Sequence, residues 1–540
     1  MKTNKLVVSL VSATMLAGVA VSATACKSSW RNKFAYDIDF NADVHGTEIE
    51  FWTGFGSNIN DVLEPLLEEF TELTGIKVRY ESKGSYDNVL NATQLSATTG
   101  KFPNLVIGYP DHFASYVNQD IIVRLDYYFE NDVQNSFEPE GERFKIEDFY
   151  SDYMVENQSI EFDAEGKGYT LGVPFNKSTE VLIYNSTFFD WCATDASGYK
   201  DTIFVPKTYD EVDSVGKAIL NMLDTKGVYG KYLVKDGSVV ANEPANPKDV
   251  VLNLTGISKW NDADNSHVNQ FKPFSYDSQA NLFITSIRQN GGTYTFYDKE
   301  DKHGYVGFNN DGGKTIEALT KLDTLYKNHT FGIPADWEEA KYGSNPFKAS
   351  KTVMTLGSSA GVSNDAPTGN KFDIKAAPVP YFNADKKFVI SQGANLALLD
   401  KGSRKERLAS WMLLKFLTKY ANGYLCAMTG YYPSCSYAET GKLWKDYNDE
   451  DYVDYSTWLA DAKDSANTTE RIKAQTAQVN IDTYVKASEK WTKFVDQPFP
   501  GSASIRTEVA NAPKYLFIDG LTPQAAIEKV LTAIPDYIKK

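Results

Sequence analysis

Tyr169-Thr-Leu-Gly-Val-Pro-Phe-Asn-Lys-Ser-Thr-Glu-Val-Leu-Ile-Tyr184 carries the chain from one apolar run, through polar residues, into a second apolar run. A Gly-Val-Pro turn between such runs reads as strand, turn, strand, with Pro174 ending the first run and Val181 to Tyr184 forming the next. Upstream, Glu48 to Thr53 reads as a strand. Asn60 to Leu73 carries Val62, Leu63, Leu66, Leu67 and Phe70 at helical spacing and closes on Gly75 as a C-cap. Ile76 to Glu81, Tyr86 to Thr98 and Leu105 to Gly108 continue as strand, helix, strand. Downstream, helices are predicted near Tyr209 to Met222, Gly313 to Lys327 and Arg404 to Tyr420. Strand and helix in alternation imply an α/β chain built on parallel sheet.

With 540 residues, 42% hydrophobic and 23% charged, the chain has material for two or three domains. Its net charge of −16, without clustered Lys and Arg, excludes nucleic acid as the main partner. Residues 225 to 275, rich in Asn, Asp, Gly and Pro, read as an elaborated surface loop or small insertion. Residues 438 to 490 read as largely helical and polar, with Trp444, Trp458 and Trp491 available for packing.

Lys2 and Lys5 precede an apolar stretch from Leu6 to about Ala20, then small residues and Cys26. This is an export signal, too short for the about 20 apolar residues of a membrane span. The small residues before Cys26 resemble a bacterial lipoprotein box, with Ala23 where that box usually has Leu, so Cys26 is the expected lipidation site. Cys192, Cys426 and Cys435 then permit at most one disulfide and lack zinc-ligand spacing.

Three local patterns point elsewhere. Gly357-Ser358-Ser359-Ala360-Gly361 fits a serine-hydrolase elbow, but all five His residues precede it, whereas that fold needs a His after the nucleophile. Gly307 to Thr315 ends in Gly-Gly-Lys-Thr with the spacing of a P-loop exceeded by one residue, and reads as a helix start. Asp262, Asp264 and Asn265 lack the Gly and Glu of a calcium loop. No metal and no cofactor is expected. Tyr, with 33 residues, is the commonest aromatic and suits a carbohydrate site.

Stretches spread in order over nearly the whole chain resemble the extracellular solute-binding family of carbohydrate ABC importers, most of all its sn-glycerol-3-phosphate-binding branch. They are Glu50-Phe51-Trp52, Lys83-Gly84-Ser85-Tyr86, Pro174 to Thr179, Gly357-Ser358-Ser359, Gln392 to Leu396, Thr429 to Pro433, and Ser504-Ile505-Arg506 followed by Thr522-Pro523-Gln524. The resemblance implies a two-lobed periplasmic-binding-protein-like fold (type II), each lobe a mostly parallel sheet flanked by helices. The expected parts are a signal peptide over 1–25, a lipid-anchored tether over 26–45, a first lobe of 46–173 plus 353–393, and a second of 174–352 plus 394–540.

It further implies that Asn176, Ser178 and Thr179 reach the ligand cleft and that Tyr86, Ser178, Ser358, Gly393, Tyr431 and Arg506 line it. Arg506 would supply the fixed cation for a phosphate or a pair of hydroxyls. Where the branch has a Glu after the strand at Leu105 to Gly108, Pro110 stands with Asp111 beside it. Phe274 and Tyr276 occupy the region of the branch's tryptophan pair. Asp111 and Tyr276 therefore join the candidate site. The implied function is not enzymatic: a monomeric, lipid-anchored protein on the extracytoplasmic face of the cell membrane delivers a sugar or polyol phosphate to ABC permease transmembrane subunits. Glycerol phosphate, a phosphodiester and an oligosaccharide stay open as ligands. A secreted glycoside hydrolase or a carbohydrate-binding adhesin is the alternative.

Overall fold

The computed structural model describes residues 37–540 apart from residues 265, 299, 302, 341, 370, 441–453 and 486–490. The export signal, Cys26 and much of the 26–45 tether, with Asn265 and Trp444, lie outside the described residues.

The two main sheets use β1 (Glu48–Thr53), β2 (Lys77–Ser82), β3 (Leu105–Gly108), β4 (Val173–Ser178), β5 (Glu180–Asn185), β6 (Phe274–Tyr276), β7 (Phe331–Gly332), β8 (Met354–Ser358), β9 (Ile374–Ala377) and β10 (Gln392–Leu398). One sheet runs β2-β1-β3-β10-β4 and the other β7-β6-β8-β5-β9. Each contains a parallel core: β1 with β2 and β3, and β6 with β7 and β8. Each also takes in an antiparallel strand, β10 against β3 and β5 against β8.

The chain forms two compact units. One reaches to Asp148 and adds Asn157–Val173 and Asn395–Leu417; the other comprises Phe149–Glu156, Pro174–Ala394 and Thr418–Lys540. The chain passes from the first unit to the second between Val173 and Pro174. The exchange expected at 353 does not occur, because β8 pairs with β5 along its whole length and β9 pairs with β5 on the other side. Residues 353–393 thus stay in the second unit. Residues 395–417 return to the first, since the Asn395–Leu398 part of β10 pairs with β3.

Pro174 does not end a strand, as the sequence suggested; it is the second residue of β4. β4 is an edge strand, where a missing N–H costs little. The break falls instead at Thr179, between β4 and β5.

Helix Ser57–Thr74 stops at Gly75, whose φ of 71° provides the left-handed cap. Helix Lys314–Lys327 begins where the Gly-Gly-Lys-Thr pattern placed a helix start. In the first unit Phe70, buried on its helix, lies 5.3 Å from the Phe416 ring. In the second unit β5 is buried on both faces: Leu182 joins a large core with Phe188, Phe274 and Leu356, and Val181 and Ile183 join a smaller one with Phe347 and Ile374. Each such side chain contributes about 1.5–3 kcal/mol.

The 225–275 stretch is more than a surface loop. Tyr232–Val234 pairs with Val239–Val240 and Val250–Asn253 in a small sheet, and Val251, Leu252 and Leu254 enter the main core. Short strands set between Asn, Asp and Gly turns hid this in the composition. Cys192, Cys426 and Cys435 are all buried free thiols.

Both units bury ions. In the first, Lys415 Nζ donates to Asp132 Oδ1 at 2.9 Å, Glu138 Oε2 at 2.8 Å and the Val133 carbonyl at 3.0 Å, all without solvent access to the lysine. In the second, Lys177 pairs with Glu156 and donates to the Gly393 carbonyl at 3.3 Å.

Candidate functional site

Six of the sequence-derived site residues belong to the second unit and gather around β4 and β5. Ser178 ends β4, and its Oγ lies 3.5 Å from that of Ser358, the last residue of β8. The register places Ser358 opposite Glu180. Ser358 Oγ accepts from the Ala360 amide at 3.4 Å, so it also caps the turn over Ser359–Asn364. Asn176 and Thr179 are buried and employed within the unit: Asn176 Oδ1 accepts from the Ala394 amide at 3.3 Å, and Thr179 Oγ1 donates to the Ile390 carbonyl at 2.9 Å.

Gly393 has φ +93°, and a Cβ there would lie 1.9 Å from the Asn176 carbonyl oxygen and 2.6 Å from Lys177 Cα. Close backbone approach to β4 therefore explains the glycine. Tyr431 is 9% exposed and follows Gly430, whose φ of 84° caps helix Asn422–Thr429. The next residue, Tyr432, bridges to Lys177 in antiparallel fashion, which brings Tyr431 to the same end of β4 as Ser178.

Tyr276 and Arg506 meet through two residues that the sequence reading did not single out. The Tyr276 hydroxyl, 1% exposed, donates to Glu180 Oε2 at 2.6 Å. Asn281 Nδ2 donates to Glu180 Oε1 at 2.9 Å, and Arg506 Nη2 donates to Asn281 Oδ1. Arg506 rides on helix Ser502–Val509 and Asn281 on helix Gln279–Gln289. Burial pushes the Glu180 carboxyl up to about 7, with Asp277 adding to the rise, while the Tyr276 and Asn281 hydrogen bonds and the Arg506 charge oppose it. Burial likewise raises the Asp365 carboxyl well above the usual carboxylate range, again reinforced by Asp277.

Tyr86 and Asp111 belong to the first unit. Tyr86 opens a helix capped by Ser85 Oγ, which accepts from the Asn88 amide at 3.2 Å. Its ring packs edge-on against Tyr109, centroids 4.9 Å apart, and against Phe55 at 6.2 Å. Tyr109 is the N-cap of helix Pro110–Asn118, and Asp111 in its first turn accepts from the His112 amide at 3.0 Å. A carboxylate there is favoured by the helix dipole. Tyr109 thus brings Tyr86 and Asp111 to one place.

Residues 66–451, well over half of the chain, match the family of bacterial extracellular solute-binding proteins. The chain belongs to that family. Its relatives in the family are binding proteins and not enzymes, and they work on the extracytoplasmic side. Among the described residues no helix is long and apolar enough to cross a membrane.

Solved structures share the fold. UgpB from Mycobacterium tuberculosis, in complex with glycerophosphocholine, is 14% identical with TM-score 0.59, covering 90% of this chain and 97% of that one. The GacH receptor of Streptomyces glaucescens, solved unliganded and with acarbose, is 14% identical with TM-score 0.57, covering 92% and 99%. The maltose/maltodextrin-binding domain MalE from Bdellovibrio bacteriovorus, bound to maltotriose, is 17% identical with TM-score 0.56, covering 90% and 98%. No curated protein matches the chain in sequence. The fold is therefore the α/β periplasmic-binding-protein-like one expected, with mixed rather than mostly parallel sheets.

Proposed function

We propose that this solute-binding protein serves an ABC importer, captures a carbohydrate or polyol phosphate, and hands it to the permease transmembrane subunits as a lipid-anchored monomer. The observation that carries the ligand class is the grouping, in the second unit, of the paired Ser178 and Ser358 hydroxyls with a guanidinium, Arg506, near buried Tyr276. Hydroxyls and an Arg fork suit phosphate oxygens or sugar hydroxyls. Gly393 and Tyr431 in the second unit, and Tyr86 and Asp111 in the first, complete the proposed ligand set. The bound glycerophosphocholine, acarbose and maltotriose of the related folds support the same two ligand classes.

A thermal-shift screen of glycerol phosphates, glycerophosphodiesters and oligosaccharides tests the reading. Stabilisation by one class without its turnover is the expected result. Turnover would move the protein to the hydrolase alternative, and no shift with any of them would favour the adhesin.

Calorimetry on Arg506 variants then separates the ligand classes. For a phosphate-bearing ligand, Arg506→Lys weakens binding by removing the planar fork, and Arg506→Ala costs about 2–5 kcal/mol with strong salt dependence. For a neutral sugar the loss from Arg506→Ala is nearer 1.5–3 kcal/mol, roughly that of a hydrogen bond to a charged group, and nearly salt-independent. Wild-type affinity in both variants would remove Arg506 from the site.

The lipid anchor is proposed at Cys26 from the basic start and the small residues before it. Cys26→Ser releases the protein into the soluble fraction. Retention on membranes, with no lipid on the wild type by mass spectrometry, would refute the anchor.

A further inference from the structure

Glu180 is a buried carboxylate that the proposed ligand set does not use. It is 1% exposed, and its side chain accepts from two neutral donors, the Tyr276 hydroxyl at 2.6 Å and the Asn281 amide at 2.9 Å. A buried carboxylate is ordinarily held by a cation in direct contact. Here the cation stands one residue back, since Arg506 Nη2 donates to Asn281 Oδ1. An amide placed between a carboxylate and a guanidinium has one workable orientation, oxygen to the guanidinium and nitrogen to the carboxylate. Asn281 adopts it. Its side chain is 1% exposed, and its backbone amide donates to Ser278 Oγ at 3.4 Å in the first turn of its helix.

We propose that Asn281 and Glu180 form a relay behind Arg506, in which Asn281 fixes the guanidinium and the protonation state of Glu180 sets how strongly Arg506 holds an anionic ligand. With Glu180 ionised, part of the Arg506 charge is compensated through the Asn281 dipole. With Glu180 protonated, the full charge is available to the ligand. Asp277 is the other carboxylate acting on Glu180, and it favours the protonated form. The remaining titratable neighbours are Tyr209, Tyr276 and Tyr484, all raised by burial, so they stay neutral wherever Glu180 changes state. The Tyr484 hydroxyl also donates to the Glu180 carbonyl at 3.4 Å, which fixes the start of β5. With the Glu180 carboxyl pushed up to about 7, the change falls around neutral pH. Anion affinity is highest below that pH and declines above it.

The ligand arm of this inference rests on Arg506 contacting ligand, as proposed above; the relay itself does not. Glycerophosphocholine is a suitable probe because its phosphodiester keeps one charge between pH 6 and pH 8. Calorimetry on the full chain should show its affinity falling about tenfold over that interval, the scale of one unit charge acting through an intervening side chain at an effective dielectric of about 20. Glu180→Gln should abolish the fall and keep the tighter, acid-side affinity at both pH values. Asn281→Ala should weaken binding at both and flatten the slope. A fall that persists in Glu180→Gln, or none in a wild type that binds, overturns the relay.

If glycerophosphocholine does not bind, the phosphodiester reading of the ligand fails, and the relay is judged from the protein alone. The Nε resonance of Arg506 in arginine-labelled protein should then titrate near pH 7 in the wild type and not in Glu180→Gln. A resonance flat from pH 5 to pH 9 overturns the relay. Thermal unfolding provides a folding control with a defined sign. A carboxyl raised in the folded state contributes stability that is lost as pH rises through its folded value. Wild type should therefore lose stability relative to Glu180→Gln between about pH 4.3, the unperturbed Glu value, and pH 7, and no further above it.

Discussion

Lys415→Ala should destabilise the first unit by about 3–5 kcal/mol, because it strands buried carboxylates without their cation. The lysine has no solvent access and meets Asp132 twice, at 2.9 and 3.0 Å, and Glu138 once, at 2.8 Å. Among the described residues, Asp132 then keeps the Trp411 indole N–H, at 2.7 Å, as a side-chain donor. One neutral hydrogen bond does not balance a buried charge. A calorimetric scan should show the melting temperature falling accordingly. Lys415→Met combined with Asp132→Asn and Glu138→Gln should recover much of the loss, since no charge is then left uncompensated. Failure of the combined variant to recover would mean that the volume of the lysine, not its charge, holds this corner together.

Gly393→Ala is the second substitution with a large effect. A methyl there collides with the Asn176 carbonyl oxygen at 1.9 Å and must also adopt φ +93°. Overpacking costs about 1–3 kcal/mol and a left-handed non-glycine residue a further 1–2 kcal/mol, so a loss of roughly 2–5 kcal/mol in urea unfolding is expected. The backbone that must give way is Asn176-Lys177, immediately before Ser178, so ligand affinity should fall with stability. Wild-type stability for Gly393→Ala would show that β4 and β10 can separate locally without cost.

The elements that local pattern governs were legible in the sequence. Gly75 closes its helix in the left-handed conformation, and the helix after Gly313 starts at the expected place, because both depend on residues a few positions apart. Membership of the units after residue 353 was not legible, since it depends on whether β8 and β9 pair with β5, a choice made between distant segments. Pro174 misled for a related reason: proline ends most strands, and only the finished sheet places it on an edge. At the site, resemblance supplied Ser178, Ser358 and Arg506, and none of its motifs reached Glu180 or Asn281. A signal for Glu180 existed in its acidic side chain at the head of the Val181-Leu-Ile183 run, where a carboxylate must find buried donors. Asn281 offered less, since Ser278 three residues earlier marks a helix start and hides a residue whose amide links two others.

The antiparallel pairing of β10 with β3 also dictates an order of events during synthesis. When residue 173 emerges, the first unit has β1, β2 and β3 but not the strand that covers the far side of β3. Leu105–Gly108, buried throughout in the finished protein, then offers an open edge. The covering strand arrives only after the Pro174–Ala394 stretch has been made. A shortened chain ending near residue 173 should therefore aggregate rather than fold, and the nascent protein needs its β3 edge shielded until translation has passed Leu398. Because closure spans so long an intervening segment, completion of the first sheet is the step expected to limit folding of this chain.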